Sequence, residues 1–359
     1  MTAAVAIVGA SLAGLSAARA LRAQSYDGRI VVIGDERHAP YDRPPLSKDF
    51  LAGTCSREDV ALGTAADEAL DLDWRLGSTA VGLHRDTRSV RLADGSEVRA
   101  DGVVLATGAR ARRLPGTESL AGVHVLRSLD DAVALRADLL AAEHLVVIGA
   151  GFIGAEVAST ARALGVQVTV VEAQPVPLAG PLGAEMGAVC AELHADHGTR
   201  LLSGTGVARL VGSSRVQAVE LADGRRLPAD VVVVGIGAAP NVEWLADSGV
   251  ALDHGVLTDE RCATNVPGGR GRRGLRGDLV ARVGTRRARG ALDARPGTAH
   301  HCGGHPAGHR AAAGDDRSVL LVGAVRPPHT VRGDPSRRRP GAHRGGELRG
   351  PQLPGRLRA

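Results

Sequence analysis

Aromatic side chains are nearly missing from this chain of 359 residues, which carries two each of Phe, Tyr and Trp. Single-stranded nucleic acids are held by stacking on such rings, so the shortage argues against a specific nucleic-acid reader despite a formal net charge of +5. Cysteine is almost as scarce. Cys55, Cys190, Cys262 and Cys302 form no C-x-x-C pair and no metal-ligand spacing, which leaves a disulfide framework and a metal site unsupported and inert thiols as the expectation. Lysine occurs once, at Lys48, against 43 arginines, and a lone compact ammonium marks that position for a role a guanidinium does not fill. No apolar run approaches the length of a membrane span, and the first strand follows Met1-Thr2-Ala3-Ala4 too closely for a secretory leader. A cytoplasmic location is therefore expected.

Glycine and β-branched residues are what the chain does have, and they are patterned. Val5-Ala6-Ile7-Val8 runs into Gly9-Ala10-Ser11-Leu12-Ala13-Gly14, and Leu145-Val146-Val147-Ile148 runs into Gly149-Ala150-Gly151-Phe152-Ile153-Gly154. A buried strand that ends in such a turn lets backbone approach a pyrophosphate, and the helix that follows offers it N–H groups and a positive dipole end. Each fingerprint is followed, about 20 residues on, by a second strand and an acid placed for a ribose hydroxyl: Asp35 and Glu36 in the first unit, Glu172 in the second. Ser11 stands where the second unit has Gly151, narrowing the approach while offering a hydroxyl donor.

The duplication continues beyond the glycines. Leu92-Ala93-Asp94-Gly95 leads through Asp101 to Val103-Val104-Leu105-Ala106-Thr107-Gly108, and Leu221-Ala222-Asp223-Gly224 leads through Asp230 to Val231-Val232-Val233-Val234-Gly235-Ile236-Gly237. Each stretch reads as an Asp-Gly hairpin turn followed by a buried strand whose carboxyl end faces a ligand. The fold class is thus α/β, with two Rossmann-like dinucleotide-binding domains. Residues 1–110 are expected to form the first part of one, 111–237 an inserted second, and 238–268 a returning piece of the first. Arg110, Arg112 and Arg113 at the first crossing read as a solvated linker, with steering of an acidic partner as the alternative.

No cysteine pair follows the first acid, so electrons that reach this protein need an acceptor other than a dithiol. In that place stands Ala39-Pro40-Tyr41-Asp42-Arg43-Pro44-Pro45-Leu46-Ser47-Lys48. Its prolines fix φ and discourage helix until Ser47, a residue suited to cap the next one.

The first fingerprint, this proline loop, Ala106-Thr107-Gly108, Leu126-Arg127-Ser128-Leu129-Asp130-Asp131-Ala132 and the second fingerprint together resemble the NADH-dependent ferredoxin reductases of oxygenase and cytochrome P450 systems. The resemblance covers about residues 5 to 268. It implies FAD on the first unit, held by Gly9, Ala13, Gly14, Asp35, Arg43, Lys48, Val81, Ala106, Thr107, Gly108 and Arg127, with Ser11, Leu12 and Glu36 beside them. It implies NADH on the second, held by Gly149, Gly151, Phe152, Ile153, Gly154, Glu172, Gly235, Ile236 and Gly237. Glu172 favours NADH because a carboxylate there repels a 2′-phosphate. The resemblance also pairs Lys48 with Glu156 as an ion pair near the flavin's reacting nitrogen, and implies a ferredoxin as the electron acceptor.

After Pro267-Gly268 the resemblance stops. The last 91 residues contain 20 Arg, no Lys and no aromatic residue, and carry net +14 against −9 for residues 1–268. Such a composition suits a disordered tail rather than a packed core. Back-translation of Gly269–Leu275, Ala291–His300 and Leu320–Arg326 into one alternate frame permits three strings typical of the family, in the family's order. The tail therefore reads as a frameshifted translation whose genuine frame would complete the flavin site. Resequencing the gene across codon 268 is expected to reveal the displaced frame; an intact frame together with a protein mass that matches the tail as printed would refute it.

Overall fold

Runs of Val and Ile, whose branched side chains suit strands buried on both faces, form the centres of two parallel sheets. The computed structural model describes residues 3–259 and 262–266. The tail beyond residue 268, with its expected disorder and displaced frame, lies outside them. In the first half, β1 (Ala4–Val8), α1 (Leu12–Ala23) and β2 (Arg29–Ile33) are followed by the short α2 (Asp49–Ala52) and β3 (Leu72–Arg75). A meander of β4 (Ala80–His84), β5 (Ser89–Leu92) and β6 (Glu97–Arg99) then returns the chain to β7 (Gly102–Leu105). The four-stranded sheet has the order β3-β2-β1-β7.

After β8 (Ala109–Ala111), β9 (Val123–His124) and α3 (Leu129–Leu139), the plan repeats with β10 (His144–Ile148), α4 (Phe152–Ala163) and β11 (Gln167–Glu172). Next come α5 (Ala179–Leu182), α6 (Ala184–Asp196), β12 (Arg200–Ser203), the meander β13 (Val207–Gly212), β14 (Val216–Leu221) and β15 (Arg226–Pro228), and then β16 (Val231–Val234). This sheet has the order β12-β11-β10-β16-β9. The two Asp-Gly turns join β5 to β6 and β14 to β15, with Gly95 and Gly224 at φ of 85° and 84°. The aspartates after them do equivalent work. Asp101 Oδ2 accepts from the Ala4 N–H at 3.0 Å, and Asp230 Oδ2 accepts from the His144 N–H at 2.9 Å, so each pins the start of its half's first strand.

The last strand, β17 (Ala238–Pro240), pairs antiparallel with β8, which sets the outgoing and returning crossings side by side. Beyond it, Leu245, Val250, Val256 and Val266 are buried against Val8, Ile33 and Leu105 of the first half.

The proline loop departs from expectation. Pro44–Ser47 forms a 3-10 turn, because prolines at the first positions of a helical turn need no N–H and already hold a suitable φ. Lys48, not Ser47, occupies the cap position of α2 and makes no side-chain cap bond. The turn and α2 also act as a wedge: Leu46, Phe50 and Leu51 are buried in one cluster with Leu129 and Leu135 of α3 and Val157, Ala158 and Ala161 of α4. The two halves therefore share a hydrophobic core.

Cys55 and Cys190 are half-buried free thiols. Cys262 is disulfide-bonded, which corrects the expectation of inert thiols at that position. No helix among the described residues is long and apolar enough to cross a membrane.

Leu51 is 0% exposed in the shared core, so Leu51→Ala is expected to cost about 2–5 kcal/mol through lost transfer energy and a residual cavity. Urea denaturation checks this, and a loss below about 1 kcal/mol would show that the seam between the halves is not tightly packed.

Candidate functional site

The first cradle forms where β1 ends. Gly9 has φ of 122°, and a Cβ on it would lie 2.0 Å from the Ala106 carbonyl oxygen; a Cβ on Gly14 would lie 1.9 Å from the Gly9 oxygen. Bare backbone at both positions lets α1 start hard against the strand ends. Ser11 caps α1 with extended backbone, but its hydroxyl makes no cap bond, so it and the first N–H groups of the helix are available to an anion. Leu12 and Val81 are exposed beside the turn, while Ala13 and Ala106 are buried.

A cavity of about 490 Å³ opens at this edge, lined by Gly9, Asp35, Val81, Thr107 and Trp244 among others. Of the two acids expected there, Asp35 faces the cavity. Glu36 turns into the protein, where it accepts from the Tyr41 hydroxyl and, at 2.6 Å, from Arg43 Nη2. Arg43 also donates to the Tyr41 hydroxyl at 2.9 Å and to the Arg127 carbonyl at 2.7 Å, and its guanidinium stacks 4.9 Å from the Tyr41 ring centre. Burial, offset in part by Arg43, pushes the Tyr41 phenol well above its ordinary range, so it stays protonated and completes the network as a donor. Arg43 thus commits three of its five N–H donors to protein partners. Arg127 is different: its Nε donates to Ala109 O at 2.8 Å, while Nη2 lies 3.6 Å from where a Cβ of Gly108 would be. Burial and then the neighbouring Arg43 charge lower its pKa, the condition of a cation that an anionic ligand would stabilise.

The second cradle repeats the geometry. Gly149 has φ of 100°, with a Cβ placed 2.5 Å from the Gly235 oxygen, and a Cβ on Gly154 would lie 2.0 Å from the Gly149 oxygen. Gly151 is unlike both. Its φ of −75° and ψ of −177° suit any residue, and among the described residues no atom beyond its own chain neighbours lies within 4 Å of a Cβ built there. The fold does not demand glycine at that position, whereas a pyrophosphate brought up to the backbone would. Phe152, Ile153 and Ile236 are exposed around the turn, and Gly237 has φ of 106°. Glu172 lies in the turn, accepting from Ala150 N at 2.7 Å and Gln174 N at 2.8 Å. These bonds orient the carboxylate and leave lone pairs for a ribose hydroxyl.

Between the cradles, Lys48 Nζ meets Glu156 Oε2 at 2.8 Å, so the expected pair forms and joins the loop of the first half to α4 of the second. Three side chains not expected at the site contribute to it: Ser47, Asn241 and Tyr41. Ser47 Oγ donates to the same Glu156 oxygen at 2.6 Å; Asn241 and Thr107 exchange hydrogen bonds at 2.8 and 2.9 Å, tying the returning segment to the first cradle; and Tyr41 organises Glu36 and Arg43. The adjacency of Ser47 to the unique lysine was the one available signal. Arg110 is bound to Glu243 and Arg112 to the Ala238 carbonyl across the β8–β17 ribbon, so both belong to the crossing itself.

The two glycine classes separate by substitution. Gly151→Ala is expected to leave stability within about 0.5 kcal/mol yet to weaken NADH binding by tenfold or more, on the order of 1.4 kcal/mol. Gly154→Ala is expected to destabilise the fold itself. Thermal unfolding and NADH fluorescence titration measure the two effects, and unchanged NADH affinity in Gly151→Ala would remove the pyrophosphate from this turn.

The chain matches the family model for pyridine nucleotide-disulphide oxidoreductases over residues 3–268. It is 45% identical over 264 residues to the biphenyl dioxygenase system ferredoxin–NAD(+) reductase component of Paraburkholderia xenovorans (strain LB400), covering 73% of this chain and 65% of that relative. It is 40% identical over 265 residues to rhodocoxin reductase of Rhodococcus erythropolis, covering 72% and 62%. A chain in the crystal structure of the covalent putidaredoxin reductase–putidaredoxin complex superposes with a TM-score of 0.72 at 35% identity, over 78% of this chain and 66% of that one. The chain thus spans just under two thirds of the length of these relatives, and the family-model match ends at residue 268, where the sequence resemblance stops. The two glycine cradles, their acids and these likenesses agree: the chain belongs to the pyridine nucleotide-disulphide oxidoreductase family.

Proposed function

We propose that this chain carries the dinucleotide-binding machinery of an NADH-dependent ferredoxin reductase, with FAD on the first cradle and NADH on the second, serving a ferredoxin that feeds an oxygenase or a cytochrome P450. The observation that carries the reading is the juxtaposition of two phosphate cradles of one plan across the Lys48–Glu156 contact. The domain division goes with it: residues 1–110 and 238–268 for FAD, 111–237 for NADH. A cytoplasmic site of action, where NADH is supplied, completes it.

FAD, when bound, would supply the conversion of a hydride's two electrons into single-electron deliveries. The chain's own residues do the rest. The N-termini of α1 and α4 would face the pyrophosphates. Asp35 and Glu172 would accept from ribose hydroxyls, and Glu172 would disfavour a 2′-phosphate. Arg127 would offer its Nη groups to the flavin nucleotide. The Lys48–Glu156 pair would present its paired charges between the two bound nucleotides. No group of three or more His, Cys, Asp or Glu suited to a metal gathers among the described residues, and the reading requires none.

A second reading, an NADH-binding remnant that holds FAD poorly, is favoured by the end of the family match at residue 268. In agreement with both, FAD is expected to fall below stoichiometric after dialysis, as read from the visible flavin absorbance. With excess FAD restored, the reductase reading expects NADH-dependent reduction of cytochrome c through added ferredoxin, with NADH preferred over NADPH by at least about tenfold in kcat/KM. Folded protein that binds NADH but passes no electrons at saturating FAD would leave only the remnant.

A further inference from the structure

Ser47 is 2% exposed, and α4 holds it from two sides. Thr160 Oγ1 donates to the Ser47 carbonyl at 2.8 Å. One turn earlier on the same helix, Glu156 Oε2 accepts from Ser47 Oγ at 2.6 Å. The hydroxyl has a single proton; the alternative acceptor, Pro44 O, stands at 3.5 Å, so the short charge-assisted bond to the carboxylate takes it. Lys48 Nζ reaches the same Oε2 at 2.8 Å while also donating to Pro44 O at 3.2 Å. Two donors from adjacent residues thus converge on one carboxylate oxygen and leave Oε1 without a protein donor among the described residues.

The two donors differ in how firmly they are held. The Lys48 side chain is 46% exposed on a flexible stem, and such an ion pair is screened and wanders among rotamers. Ser47 is buried, clamped through its backbone by Thr160, and part of a proline-stiffened turn, so its hydroxyl has one place to be. We propose that Ser47 is a positioning residue for the Lys48–Glu156 pair: its hydroxyl fixes the Glu156 carboxylate so that Lys48 meets it in one geometry and Oε1 stays clear of protein donors. This rests on the cofactor assignment only for its consequence in catalysis; the positioning itself concerns this chain's own side chains.

The single lysine makes the test clean. In the full chain grown with isotope-labelled lysine, one side-chain ammonium resonance reports Lys48, and Glu156→Gln supplies the reference for a broken pair. Ser47→Ala is expected to move that resonance most of the way toward the Glu156→Gln position, with Ser47→Cys, a weaker donor of similar size, moving it part of the way. A Ser47→Ala resonance that coincides with wild type in folded protein overturns the proposal; should Ser47→Ala not fold, a Ser47→Cys resonance identical to wild type does the same. In FAD-loaded protein, Ser47→Ala is expected to slow flavin reduction by NADH about tenfold with KM changed by less than about twofold. A moved resonance with an unchanged rate would leave Ser47 as the positioning residue and instead reject the catalytic reading of the Lys48–Glu156 pair.

Discussion

Helix and strand meet in this protein through bare backbone, and the site depends on that contact. At Gly9, Gly14, Gly149 and Gly154 a carbonyl oxygen lies where a methyl group would otherwise be. Any side chain there would push α1 or α4 away from its sheet, and the helix N-terminus would no longer stand at the carboxyl ends of the strands. The same contacts close each half upon itself, because the carbonyls facing Gly9 and Gly149 belong to Ala106 and Gly235, just past β7 and β16. One steric requirement thus sets both the anion-facing dipoles and the order of the central strands.

The two halves are held together by different forces doing different jobs. Leu46, Phe50 and Leu51 extend the core of the second half into the loop of the first, and burial on that scale, at roughly 1.5–3 kcal/mol per large side chain, outweighs what the polar bridge supplies. An ion pair as exposed as Lys48–Glu156 contributes about 0–1 kcal/mol to stability. Its value lies in direction. The apolar wedge holds the halves near one another, and the Ser47, Lys48 and Thr160 bonds set which atoms face across the seam. The Tyr41, Glu36 and Arg43 network works likewise, using half-buried charge to hold Arg127 by its own carbonyl while the Arg127 Nη groups have no partner among the described residues.

The duplicated cradles are not equivalent. In the second, Gly151 faces space that no described residue fills; in the first, Ser11 occupies the matching position with a hydroxyl that makes no cap bond. One turn is shaped for the closest approach of backbone to ligand, the other for a side-chain hydrogen bond. The acids differ too. Glu172 is oriented by the N–H of the turn it serves, while Asp35 faces its cavity beside a Glu36 that has been drawn into the protein.

Elements decided by local chemistry were legible from the residues: the fingerprint turns, the strands that feed them, the Asp-Gly hairpins and the acids at the strand ends. Each depends on contacts between positions close in sequence or on a repeating side-chain period, and both survive without knowledge of the fold. What the chain order hid were the choices made between distant neighbours. Asp35 and Glu36 carry the same charge and sit side by side, and only the arrival of Tyr41 and Arg43 determined which one faces the cavity. Pro44–Ser47 reads as a helix breaker in sequence, yet it forms a turn that packs on α4, and Ser47 reads as a cap, yet the helix starts one residue later, with Lys48 at the cap position, and the Ser47 hydroxyl donates to Glu156. The sequence by itself determined two nucleotide cradles and their order, because glycine sterics and strand patterning act within a few residues; tertiary structure alone decided how the cradles are joined and which side chains remain free for ligands, because hydrogen bonds and burial are awarded by whichever partner the fold brings nearest.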